Sequence, residues 1–140
     1  MPTTIRDVMT ANPSTLPLDA TVGDAAAIMR DEGIGDVLVI DLDNKLVGVV
    51  TDRDIVVRAV ADSHDITGTL LRDVCSGSVV TVSADDTAES AARLMREHAI
   101  RRIPVVEGGR PVGVVSLGDL AVRFTDGDTL KDISVAPDND

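Results

Sequence analysis

Apolar residues change their spacing along this chain in a fixed order, and the order occurs twice. A short extended stretch at residues 14–16 comes first. Val22, Ala25, Ala26 and Met29 then recur at helical spacing behind Thr21, with Asp24 three residues after it, the pattern of a capped amphipathic helix that Gly33 ends. Two aliphatic runs follow, Val37-Leu38-Val39-Ile40 and Leu46-Val47-Gly48-Val49-Val50, parted by the turn-forming residues 41–45, which predicts a hairpin of buried strands. A second helix is predicted from Thr51, carrying Ile55, Val56 and Ala59. In the later half the extended stretch is 79–82, and Thr87 caps a helix with Ala88, Ala91, Ala92 and Met95 on one face. Strands at 103–106 and 112–115 flank Gly108-Gly109, and a helix with Leu120 and Ala121 starts at Ser116. Pro104 is expected at a strand start or edge, because it has no N–H for a ladder.

A shift of 66 lays residues 5–41 over 71–107 without a gap. Arg6-Asp7-Val8 falls on Arg72-Asp73-Val74, Met29-Arg30 on Met95-Arg96, and, after one deletion, Gly48-Val49-Val50 on Gly113-Val114-Val115 and Asp54 on Asp119. The expected fold is α/β: tandem β-α-β-β-α repeats at 5–60 and 70–124, joined by a linker at 61–69 and followed by a solvated acidic tail at 125–140. A unit of about 55 residues is small for an independent core, so the copies are expected to pack together about a pseudo-twofold axis.

Composition narrows the function. The apolar fraction is 44%, yet Phe124 is the only aromatic residue, so the core must be aliphatic. A net charge of -11 and the lack of aromatic stacking faces disfavour nucleic acid and anionic membrane as partners. A single cysteine, Cys75, excludes an intrachain disulfide, and the first ten residues lack a secretory pattern, which fits a cytoplasmic setting. His64 and His98 stand apart from one another and from Cys75, so no metal is expected. A Gly-x-Ser-x-Gly elbow, a phosphate-cradling loop with Lys and a nucleophile beside a His base are all absent, so no enzyme activity and no catalytic cofactor are expected.

The duplication, together with Gly48-Val49-Val50-Thr51-Asp52-Arg53-Asp54-Ile55 and its echo Gly113-Val114-Val115-Ser116-Leu117-Gly118-Asp119-Leu120, resembles the CBS-domain family, and in particular its small stand-alone pairs. The resemblance implies a nucleotide cleft between the copies, in which Asp54 and Asp119 accept from ribose hydroxyls and Thr51 and Ser116 lie near ribose or phosphate. Val49 and Val114 would wall the adenine. Arg101 and Arg102 match the basic segment that meets phosphates in nucleotide-binding members, whereas copy one has Gly35-Asp36 there, so two unequal sites are expected; Arg53 is a candidate for compensation. The implied ligand is AMP, ADP or ATP, with S-adenosylmethionine or a dinucleotide as alternatives. The module would act on an unidentified partner protein, and a homodimer is implied as well.

Each of these residues also has a plain structural reading. Thr51 to Asp54 and Ser116 to Asp119 have capping-box spacing, Arg101-Arg102 suits a helix C-terminus, and Val49 and Val114 suit any buried strand. A ligand-free homodimeric scaffold is the competing function.

Overall fold

A computed structural model describes residues 3–77 and 79–121; the tail expected at 125–140 lies outside the described residues. In chain order the elements are α1 (Ile5–Val8), β1 (Thr10–Ala11), β2 (Thr15–Pro17), α2 (Val22–Glu32), β3 (Asp36–Ile40), β4 (Leu46–Thr51) and α3 (Asp52–Asp54), which runs into a π-helical segment (Ile55–Val60). A 3-10 turn (Leu71–Asp73), β5 (Val82–Ser83), α4 (Ala88–His98), β6 (Arg102–Glu107), β7 (Arg110–Ser116) and α5 (Leu117–Ala121) complete them. They form two units: Ser14–Val79 and, of the described residues, 3–13 with 80–121.

In the unit Ser14–Val79, β3 is the central strand, parallel to β2 and antiparallel to β4. The register pairs Asp36 with Thr51 and Leu38 with Val49. α2 starts where its sequence requires: Thr21 Oγ1 accepts the Asp24 N–H at 3.1 Å, and Asp24 Oδ2 accepts the Thr21 N–H at 3.0 Å. This reciprocal cap contributes about 1 kcal/mol. Gly33 ends the helix in the left-handed region at φ 66°, which costs glycine nothing. Val22, Ala25 and Met29 of α2 meet Val37, Val39 and Val50 of the sheet, and Ile55 and Ala59 close the same core.

The unit of residues 3–13 and 80–121 repeats this plan with one strand more, in the order β1-β7-β6-β5. Ala88, Ala91, Ala92 and Met95 of α4 pack on Ile103, Val105 and Val115, with Leu120 of α5 beside them. α4 ends at Ala99, which takes φ 53° without glycine's freedom. Pro104 departs from expectation: it is the third residue of β6, a strand with neighbours on both sides, and it pairs with Val114. The equivalent Leu38 donates its N–H to Ser14 O at 3.1 Å on the β2 side. Pro104 has no such donor, and the β5 ladder begins only at Val82 opposite Val105. The proline is accommodated by shortening its neighbour.

The two cores exchange residues between repeats. Ile5 opens the first repeat but is fully buried in the core built by the second, and its counterpart Leu71 is fully buried in the core built by the first. β1 pairs with β7 through Thr10 opposite Val114, and Ser76 makes the matching two-way backbone bonds to Val49 at 3.0 and 3.1 Å. Gly113 and Gly48 are where these segments pass closest: a Cβ on Gly113 would lie 2.8 Å from Thr10 O, and one on Gly48 would lie 2.9 Å from Ser76 O. Close backbone approach therefore accounts for the motif glycines before any ligand is considered. Residues 61–69 also belong to a unit, because Gly23 and Val22 donate to Ile66 O and Thr69 O at 2.8 and 2.9 Å. Arg6 of α1 forms ion pairs with Asp85, at 3.3 Å, and with Glu107, and the Glu107 bond is the main reason its guanidinium is held above its usual pKa.

Candidate functional site

Each strand-to-helix corner holds its acidic residue by the chain's own local geometry. At the first corner Thr51 Oγ1 accepts the Asp54 N–H at 3.0 Å while Asp54 Oδ2 accepts the Thr51 N–H at 2.9 Å. At the second, Ser116 Oγ accepts the Asp119 N–H at 3.1 Å and Asp119 Oδ2 accepts the Ser116 N–H at 2.8 Å. The capping reading of both motifs is therefore realised. It leaves chemistry to spare, because an ionised carboxylate has about four acceptor sites and the cap uses only Oδ2. Both aspartates are half-buried, which positions them rigidly without removing them from solvent.

The strands bring the second candidate group alongside. Antiparallel register sets Arg102 opposite Ser116, and the Arg101 carbonyl accepts the first N–H of α5, from Leu117, at 2.8 Å. In the first corner Asp36 stands opposite Thr51, and the Gly35 carbonyl accepts the Asp52 N–H at 2.9 Å. The backbone scaffold is the same; one corner has an arginine next to its hydroxyl residue and the other has an aspartate. Val49 and Val114, half-buried, alternate with Val50 and Val115, which are fully buried in the cores, so each lies on the opposite face of its sheet. Arg53 is exposed, with its N–H donating to Asp52 Oδ1 at 2.8 Å.

Sequence reasoning passed over Arg58. Its Nε lies 3.8 Å from Asp54 Oδ1, and its Nη1 donates to Val74 O at 3.3 Å. The signal was available: Arg58 follows Asp54 by four residues on the predicted helix, and Arg123 follows Asp119 by the same interval. Cys75 belongs to the same neighbourhood. Burial is the main cause that pushes its thiol pKa up; the Asp54 charge adds to this and Arg58 opposes it.

A cavity of about 360 Å³ opens elsewhere in this unit, at the hairpin end of the sheet, lined by Pro17, Leu18, Asp19, Asp41 and Arg72 among others. None of the sequence-predicted site residues lines it. Among the described residues, no group of three His, Cys, Asp or Glu side chains is arranged to hold a metal ion. No helix of the described residues is long and apolar enough to cross a membrane.

Comparison with known proteins agrees with this architecture. The CBS domain model matches twice, at residues 5–60 and 71–126, and the chain belongs to the CBS domain family as a tandem pair. It is 36% identical over 119 residues to the CBS domain-containing protein YhcV of Bacillus subtilis, covering 85% of this chain and 84% of that one. The crystal structure of Hypoxic Response Protein I, which has two coordinated zinc ions, superposes with a TM-score of 0.80 at 32% identity, over 86% of this chain and 98% of the other. The curated sequence of that name is from Mycobacterium tuberculosis. The CBS domain pair of protein MJ0100, solved with 5'-methylthioadenosine and S-adenosyl-L-methionine, superposes with a TM-score of 0.76 at 26% identity, over 89% and 98% of the two chains.

Proposed function

We propose that this chain is a non-catalytic regulatory module that binds an adenine nucleotide, AMP, ADP or ATP, and passes the signal to a partner protein in the cytoplasm. The observation that carries the reading is the pair of matched corners, each fixing a carboxylate by a reciprocal cap made through Oδ2. A cis-diol donates two hydrogen bonds, and a fixed, ionised acceptor is the group that receives them best. Thr51 and Ser116 lie beside those carboxylates, and Val49 and Val114 offer aliphatic surface for a purine in a chain with almost no aromatics. Arg101 and Arg102 stand at the second corner only, so the Asp119 site is the stronger one for a phosphorylated ligand. The pair from MJ0100 holds adenosyl compounds, which extends the candidate ligands to S-adenosylmethionine.

Regulation requires the ligand to bind two states of the module with different affinity. Isothermal calorimetry with millimolar AMP and ATP tests the reading. Heat and a raised melting temperature are expected for the natural chain, with a loss of at least tenfold in AMP affinity for Asp119→Ala; no heat and no melting shift reject it.

A specific observation favours a second reading, an interaction scaffold. Val56, Val57 and Val60 of the π-helical segment are 58%, 46% and 58% exposed, an apolar strip that a second copy would cover in a homodimer. Light scattering separates the two: a dimer of constant mass and melting temperature, whatever nucleotide is added, favours the scaffold.

A further inference from the structure

At the first corner the acid has a charged neighbour besides its cap partner. Asp54 spends Oδ2 on its cap, and its remaining oxygen faces the Arg58 guanidinium 3.8 Å away. The Asp54 side chain is 17% exposed and that of Arg58 52%, so the acid is the more buried partner of the pair. It is also held from the other flank, where Nη1 donates to Val74 O. Val74 cannot easily withdraw, because it is buried in the core and Ser76, two residues on, is bonded both ways to Val49. The helix type contributes as well. Ala61 donates to Val56 O, five residues back, so Arg58 stands in a widened turn, and its four-residue spacing from Asp54 sets the two side chains on one face.

We propose that Arg58 is a built-in competitor at the first site: it covers the oxygen of Asp54 that a ribose diol would take, and a nucleoside enters by displacing it. The inference rests on the nucleotide reading above and adds a residue that determines how easily this corner accepts a ligand. Charge sets the scale. The pair is partly exposed and not in close hydrogen-bond contact, so it raises the threshold for binding rather than blocking it, by about two- to fivefold in affinity. The Cys75 thiol, which responds to both charges, places all three groups in one electrostatic neighbourhood.

Adenosine is the probe, since it carries the diol without a phosphate that would itself attract Arg58. Calorimetry is done on the full chain with Asp119→Ala, to leave one site, and on the same chain with Arg58→Ala or Arg58→Lys added. The alanine variant is expected to bind adenosine two- to fivefold tighter, and the lysine variant, which keeps the charge, to stay near the parent. Equal or weaker binding by the alanine variant overturns the competitor role while leaving the nucleotide reading intact. Absence of heat from every protein, including the natural chain with AMP, overturns both. A second measurement guards against misfolded variants: the 15N-detected Arg58 Nε–H resonance is expected to move on Asp54→Asn and on adenosine addition, and a resonance that moves in neither case overturns the proposal.

Discussion

The corner at Thr51 to Asp54 and the corner at Ser116 to Asp119 share their backbone and differ in their surroundings. In both, a hydroxyl and a carboxylate cap each other, a glycine two residues before the final valine admits a crossing segment, and that valine anchors the corner to a core. What changed is charge and fit: Asp36 against Arg102, Cys75 against Met9, Leu38 against Pro104, Gly33 against Ala99. The two copies share the parts that hold the acid in place and differ at the positions around them. The comparison teaches that one local scaffold can hold the same acid rigidly in two different charge environments.

The largest expected effect comes from the exchanged residues. Ile5→Ala and Leu71→Ala each remove a fully buried aliphatic side chain, and each is expected to cost about 2–5 kcal/mol in urea unfolding. Hydrogen exchange sharpens the comparison: Ile5→Ala should lose protection first within 80–121, and Leu71→Ala first within 14–60. Loss confined in each case to the mutated residue's own repeat would mean that the exchange is wrong.

The helix ends come next. No atom lies within 4 Å of a Cβ added to Gly33, so the cost of Gly33→Ala is backbone strain alone, about 1 kcal/mol destabilising. Ala99 occupies the same left-handed region, and Ala99→Gly is expected to stabilise by about 0.5–1 kcal/mol, read as a higher melting temperature. Opposite signs are the point of the pair; two losses would refute the strain account.

The smallest effect is at Cys75. Folding favours its neutral thiol, so it contributes stability that is complete below the thiol's unfolded pKa and fades as pH rises through the higher folded value. Alkylation at pH 8 is expected to be slower in the folded chain than in urea, and a small drop in melting temperature should appear only in the alkaline range. Equal alkylation rates would show that burial does not govern this thiol.

Much of this protein is legible from its residues taken in order. Period, caps and turns are local properties, set by neighbours within about four positions, which is why α2, α4, both hairpins and the positions of Asp54 and Asp119 follow from the text of the chain. Family membership follows as well, because the strand-to-helix motif is also local and occurs twice. Three features were decided elsewhere. The segments holding Ile5 and Leu71 each leave their own repeat, an outcome that no local pattern encodes, since a buried isoleucine reads alike whichever core receives it. Pro104 occupies a central strand because β5 is short there, a fact about the neighbour and not about the proline. The four-residue spacing of Asp54 and Arg58 is local, but the Val74 carbonyl that holds the Arg58 guanidinium lies sixteen positions further on, and no local pattern records that contact.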